Sequence, residues 1–382
     1  LNEKKWLDET VEKIVQKMDW VSDKNQDKIP YTTDTNGNYD DRADHSKDWN
    51  IDDGTNWWTN GFWGGLMWLM SLQTGDEKYA AYALKNEEKL EQCFKDFYGL
   101  HHDVGFMFQP TSITSYRLTG NFNSRKNAMI AANLLAGRFN PNGFIRAWND
   151  LPNEDTRGWA IIDCLFNLPL LYWATEECGD PRFKEIAMIH ADKAMESFVR
   201  PDGSVVHIVE FDPLTGEMVK TYGGQGYQEG SSWTRGQAWA LYGFTLSYVK
   251  TGKIQYLETA KKVAHYCMAN FTDEYIVLCD FRQPAEIKLE DSCAAAVMAG
   301  GLLLISDQLD ELEREMYRKT AIKILQALSE KRADWSQESD AILQNCTGAY
   351  HHQDSHHISM VYADYYFVEA IFKLTGQEFS IW

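Results

Sequence analysis

No run of about 18 apolar residues occurs in the 382-residue sequence, which excludes a membrane-spanning helix of ordinary length. The opening stretch, Leu1 to Trp20, is charged and amphipathic and lacks the apolar core of a signal peptide. A cytoplasmic protein is expected, or a periplasmic one if a signal peptide was removed. No CxxC pair is present: the seven cysteines, at 93, 164, 178, 267, 279, 293 and 346, stand singly. They read as buried free thiols in a reducing compartment, not as a zinc site or a disulfide framework. Positive charge is scarce, with 37 Lys and Arg against 56 Asp and Glu and a formal charge of −19. That argues against nucleic acid or an anionic membrane as partner, and an anionic substrate would need local cations of its own. Neither a P-loop, a dinucleotide fingerprint, a GxSxG elbow nor an HExxH pair is found, so no cofactor and no metal are expected.

Aromatic residues are abundant: fourteen Trp and nineteen Tyr. Several lie beside Gly and Asn, as in Trp57-Trp58-Thr59-Asn60-Gly61-Phe62-Trp63. Such side chains combine an apolar face with a polar tip, which suits sugar rings, although most of them must serve the core.

A recurring mark punctuates the chain. An apolar helical stretch ends in Thr-Gly or Cys-Gly, a few polar residues follow, and a new helix begins. It occurs at Thr74-Gly75, Thr119-Gly120, Cys178-Gly179, Thr251-Gly252 and Thr375-Gly376. Gly just past a helix, with Asp soon after, is the signature of a tight helical hairpin. Apolar spacing of three and four residues then predicts twelve helices, near 4–20, 60–74, 77–96, 111–119, 123–138, 158–177, 181–199, 232–251, 254–270, 290–308, 310–330 and 358–375. Six hairpins closed into a ring, an (α/α)6 barrel over residues 1–382 as one domain, would bury every apolar face. An open solenoid is the alternative, but it needs polar end caps that the terminal helices lack. The long linkers 21–59, 97–110, 139–157, 200–231, 271–289 and 331–357 all follow outer-type helices, so they should gather at one end of the ring. Alternation from Gly203 to Lys220 around Asp212-Pro213 predicts a short β-hairpin there.

The candidate chemistry lies in these linkers and at the helix starts after them. Asp163 interrupts the apolar stretch from Ala160 to Trp173. A carboxylate there is costly to bury unless it is hydrogen-bonded or protonated, and desolvation raises its pKa, which suits a general acid. Equally, it could be a helix-capping Asp. Asp103 follows His101 and His102 and precedes Gly105 by two residues; it could be a plain turn residue. Arg235, between Trp233 and Trp239, could fork onto a carboxylate or pair with a surface acid. His207 reads as a satisfied buried histidine as readily as a ligand. The run His351-His352-Gln353-Asp354-Ser355-His356-His357 admits a metal or a sugar-binding loop, with the loop favoured because no ligand spacing supports the metal.

These segments together resemble the unsaturated glucuronyl hydrolases. The resemblance runs from about Trp57 to the end and is carried by Trp58-Thr59-Asn60-Gly61-Phe62-Trp63, His101 to Phe106, Ile161-Ile162-Asp163-Cys164-Leu165 with Asn167 to Leu171, Ser232 to Trp239, and the closing Gly348-Ala349-Tyr350-His351 and Asp364-Tyr365-Tyr366. It implies a six-hairpin α/α barrel acting on oligosaccharides whose non-reducing end is a 4,5-unsaturated uronic acid. It implies Asp103 and Asp163 as the central carboxylates. It places Trp58, His102, Trp148, His207, Gln225, Arg235, Trp239, Tyr350 and His351 around the sugar. The implied chemistry is hydration of the double bond, with Asp163 supplying a proton to C4 and Asp103 steadying the geometry. The expected partner is such an oligosaccharide, met by a monomer or weak homodimer.

Two departures stand out. The approach Asp52-Asp53-Gly54-Thr55-Asn56-Trp57 differs from the family's shorter one, and the His-rich loop after Tyr350 lacks the Ser- and Lys-bearing pattern linked to sulfated substrates. The competing readings are an unsaturated rhamnogalacturonyl hydrolase, a sugar epimerase on the same barrel, and a non-catalytic sugar-binding protein.

Overall fold

A computed structural model describes residues 3–45, 54–149, 151 and 154–382. The helices are α1 (Glu3–Asn25), α2 (Gly61–Thr74), α3 (Glu77–Leu90), α4 (Val104–Phe108), α5 (Thr114–Thr119), α6 (Phe122–Gly137), α7 (Leu168–Cys178), α8 (Arg182–Phe198), α9 (Thr234–Thr251), α10 (Ile254–Ala269), α11 (Ser292–Asp307), α12 (Glu311–Lys331) and α13 (Val361–Leu374). A π-helical turn, Gln109–Ile113, joins α4 to α5. Pro110 has no N–H to donate there, and the Thr114 hydroxyl donates to the Gln109 carbonyl instead (2.9 Å). Taken as one rod, α4 and α5 bring the helices to the predicted twelve.

Burial sorts them into two rings. The helices α2, α9, α11 and α13 are buried nearly all round: α9 encloses every residue from Thr234 to Ser247. The helices α3, α8, α10 and α12 bury one stripe each; α10 buries Tyr256, Leu257, Ala260, Val263, Ala264 and Cys267. Each inner element touches the next in the order α2, α4, α7, α9, α11, α13, and α13 returns to α2. The ring is closed, which rules out the open solenoid. The sixth pair joins the two ends of the chain, since α1 lies against α13 and α2.

The Thr-Gly marks are helix ends as expected. Gly75, Gly120, Gly179 and Gly252 all cap inner rods with φ of 70–74°. Thr74, Thr119 and Thr251 do two jobs. Each hydroxyl donates to the carbonyl four residues back, and each accepts the N–H two residues on. That second bond turns the chain directly into the outer helix.

At the opposite end the long linkers meet. Strand β1 (Phe139–Asn140) pairs with β2 (Phe144–Ile145), and β3 (Trp159–Ile161), β4 (Ile208–Phe211) and β5 (Met218–Tyr222) form an antiparallel sheet in that order. The predicted hairpin is β4–β5, turning through Asp212 and Pro213. The helix expected over 158–177 starts only at Leu168. Its first part pairs with β4 as β3, because the sheet partner arrives from more than forty residues away, and a 3-10 turn, Ile162–Phe166, leads into α7. Six of the seven cysteines are buried, while Cys178 is exposed.

The core of the barrel is aromatic. Phe62, Phe106, Phe166, Trp239 and Tyr366 meet around Trp382, which stacks on Tyr366 (6.0 Å, 13°). Trp382 Nε1 and Tyr365 Oη both donate to Glu369 Oε1, and Tyr242 Oη donates to Oε2. Burial pushes the Glu369 carboxyl up to about 7, with those bonds and Lys373 pulling it back. A carboxyl raised in this way favours folding while protonated. That contribution is complete below its unfolded value of about 4.3 and is lost as pH rises through 7. The Glu369→Gln variant should therefore melt above the wild type near pH 8 and level with it near pH 4, which thermal melts at the two pH values check.

Candidate active site

The linker end of the barrel brings Asp163 and Asp103 together. The β3 strand delivers Asp163 onto the 3-10 turn, where its side chain keeps 13% exposure while the flanking Ile162 and Cys164 are enclosed. Burial and the neighbouring charge of Asp103 push its pKa well above the usual carboxylate range, with Arg235 pulling the other way. Burial thus favours the protonated form of Asp163. It is not a helix-capping residue: Ile161 stands at the cap of the 3-10 turn and Asn167 at that of α7, and its Oδ1 has no hydrogen-bond partner among the described residues.

Asp103 stands just before α4. Its Oδ2 lies 3.4 Å from His102 Nε2 and 3.7 Å from His101 Nδ1, and its Oδ1 accepts from Asn167 Nδ2 at 3.1 Å. His101, His102 and Asp103 are the one group among the described residues whose donor atoms lie close enough together for a metal, within 4.8 Å. All three come from one turn and contact one another. Within that turn the two histidines stand against the Asp103 carboxylate.

His207, just before β4, approaches from the other side, with Nε2 3.8 Å from Asp163 Oδ1. The backbone N–H of Gln225 donates to its Nδ1 (3.0 Å). The ring proton therefore sits on Nε2 and points at Asp163. Burial, and secondarily Arg235, lower the His207 pKa to about 3, so the ring is neutral through the working pH range. Gln225 in turn donates through Nε2 to the Gly348 carbonyl (2.7 Å) and accepts from the Tyr350 N–H (2.9 Å). The histidine is thus fixed by a loop more than a hundred residues away.

The other expected contacts divide. Trp58 is half-buried at the mouth against Phe106 and Tyr362, and Trp148 is half-buried against Trp159. Tyr350 is half-buried against Tyr227, and His351 is exposed, its Nε2 2.6 Å from the Tyr227 carbonyl. Three of the expected residues are buried. Trp239 has no exposed surface: one helical turn beyond Arg235, it points into the aromatic core. His102 is likewise enclosed, with Nε2 3.4 Å from Asp103 Oδ2. Arg235 is neither a surface residue nor an open fork. It is buried, with Nη1 on Asp291 Oδ2 (2.7 Å) and on the Thr347 carbonyl, and Nη2 on the Gly348 carbonyl. The histidine run is a braced loop: His356 Nε2 meets the Tyr350 carbonyl at 2.9 Å. Of the departing approach segment, Asp52 and Asp53 lie outside the described residues. Asn167 and Asp291 were missed as site residues; the signal for Asn167 was a polar break one helical turn after Asp163.

The chain was also compared with known proteins as a whole. A family model described as Glycosyl Hydrolase Family 88 matches residues 21–375. The chain belongs to that family. It is 36% identical over 350 residues to the unsaturated glucuronyl hydrolase of Bacillus sp. (strain GL1), covering 89% of this chain and 92% of the relative. It is 31% identical to an unsaturated chondroitin disaccharide hydrolase of Streptococcus pyogenes serotype M1, covering 83% and 80%. Among solved structures, the Bacillus sp. GL1 unsaturated glucuronyl hydrolase superposes with a TM-score of 0.88 at 33% identity, over 96% of both chains. This family 88 chain is therefore a glycoside hydrolase on an α/α barrel.

The buried ion pair gives a direct test of the hydrolase's architecture. Removing one partner strands the other charge, so Arg235→Ala should lose about 3–5 kcal/mol of stability. The double variant Arg235→Met with Asp291→Leu should recover most of it. Denaturant unfolding of the three proteins checks both expectations.

Proposed function

We propose that this hydrolase releases a 4,5-unsaturated glucuronic acid from the non-reducing end of lyase-generated, glycosaminoglycan-type oligosaccharides by hydrating the C4=C5 bond. The observation that carries the reading is Asp163: a carboxyl whose protonated form burial favours, with an Oδ1 that has no hydrogen-bond partner among the described residues, beside Asp103 and a neutral His207. Asp163 gives its proton to C4, and water adds its oxygen to C5 while returning a proton to the same carboxylate. The product is a hemiketal at C5. Its C5–O5 bond opens to a ketone, which leaves a hemiacetal at C1 that collapses to an aldehyde and frees the next sugar as an alcohol. The overall change is the addition of one water.

In this reading Asp103 stays ionised and keeps the proton on Asp163. The His207 Nε2–H is available to the substrate. Trp58, Trp148, Tyr350, Gln225 and His351 form the walls of the sugar site. Arg235 acts from behind, as a buried positive charge close enough to lower the pKa of both Asp163 and His207. That placement answers the need for a local cation in a chain of charge −19. The names of the relatives support the substrate class. So does a Streptococcus agalactiae unsaturated glucuronyl hydrolase variant solved with dGlcA-GalNAc6S, similar to this chain at 26% identity.

The test is optical, because the C4=C5 bond conjugated to the carboxylate absorbs in the ultraviolet. Unsaturated chondroitin, hyaluronan and heparin disaccharides should lose that absorbance with the wild type and not with Asp163→Asn. The wild-type rate should fall on the alkaline side as Asp163 gives up its proton. Loss of absorbance with Asp163→Asn at the wild-type rate would refute the assignment. Turnover of unsaturated rhamnogalacturonan products alone would move the substrate to that neighbouring class.

A further inference from the structure

Asn167 bonds both the Asp103 carboxylate and the backbone of the turn that carries Asp163. It follows the 3-10 turn that carries Asp163 and caps the start of α7. Its side chain is wholly buried. Its carboxamide makes three contacts. Nδ2 donates to Asp103 Oδ1 (3.1 Å) and to the Asp163 backbone carbonyl (3.2 Å), and Oδ1 accepts the Phe106 N–H (2.8 Å). The amide thus ties the Asp103–α4 turn to the Asp163 turn across 64 residues of chain. Gly105 allows this approach: a Cβ there would come within 2.6 Å of both Asn167 Cα and Oδ1.

The orientation of the amide is set by its partners. The Phe106 N–H can only donate, so Oδ1 must face it, and the two amide hydrogens are left to point at oxygen. A donor on Asp103 Oδ1 favours the ionised form of that carboxyl, and an ionised Asp103 favours the proton on Asp163. We infer that Asn167 is a positioning residue that fixes which of the two aspartates holds the shared proton. The inference rests on the proposed roles of Asp103 and Asp163. The other charged or titratable groups facing the pair are His101, His102, Arg138 and Cys164 around Asp103, and Arg235 and His207 around Asp163.

Asn167→Asp and Asn167→Ala separate this role from a merely structural one. The aspartate variant is isosteric and keeps an acceptor for the Phe106 N–H, but it offers no donor to Asp103 while ionised. The alanine variant loses every contact and leaves a cavity. If Asn167 only supports the fold, alanine is the more damaging change and the pH profile of the survivor is unchanged. If it partitions the proton, Asn167→Asp is the more damaging near neutral pH, with kcat down on the order of 10²-fold and KM little altered. Its optimum also moves to acid, because the introduced carboxyl needs a proton of its own before it can donate to Asp103. The measurement is the pH dependence of kcat and KM for wild type, Asn167→Asp, Asn167→Ala and Asp163→Asn on one unsaturated disaccharide, with melting curves for each. An Asn167→Asp profile that superimposes on the wild type, with Asp163→Asn inactive, overturns the inference and spares the reading beneath it. An active Asp163→Asn overturns both.

Discussion

The buried ion pair of Arg235 and Asp291 is the constraint on which the mouth of the barrel depends. It joins the first turn of α9 to the residue that caps α11, and Asp291 also accepts from the Cys293 N–H. The remaining guanidinium hydrogens hold the Thr347 and Gly348 carbonyls. Gly348 then receives Gln225, Gln225 orients His207, and His207 faces Asp163. A charge pair deep between two inner helices thereby sets the tautomer of a histidine at the surface of the site. Such a pair is weak evidence for net stability, but its breakage is costly, so its geometry is held firmly.

The site also shows how an acidic protein can handle an anionic sugar. The guanidinium is turned away from solvent and neutralised at close range by Asp291, yet its field still reaches Asp163 and His207. A fully exposed arginine would bind the uronate more tightly in the ground state as well as the transition state, without favouring the chemical step. The two aspartates differ by environment: one braced by donors, the other left with a bare oxygen in apolar surroundings. On the proposed mechanism, that asymmetry is what gives two identical side chains different roles.

Much of this was legible in the sequence. Helix count, the hairpin marks and the clustering of long linkers followed from apolar periodicity and from Gly with its preceding Thr, all of which act within a few residues. Asp163 stood out because a carboxylate in an apolar run is anomalous on its own terms, and the motif resemblance placed Asp103 beside it. What local pattern left open was of one kind. Trp239 and His102 were expected at the sugar, although which side of a helix or turn faces the ligand depends on packing that no local pattern records. The Trp159 segment looked helical because its strand partner, Ile208 to Phe211, is remote in sequence.

The sequence by itself determined most of the helices, the closed ring they could form and the family, since each of these is written in local spacing or in ordered motifs. Only the tertiary structure decided what the polar residues between them do. Arg235 pairs with Asp291 across 56 residues, Asn167 with Asp103 across 64, and Gln225 with Gly348 across 123. Hydrogen bonds between buried groups have strict geometry but no preferred sequence separation, so their partners are fixed only when the barrel closes and brings the linkers to one face.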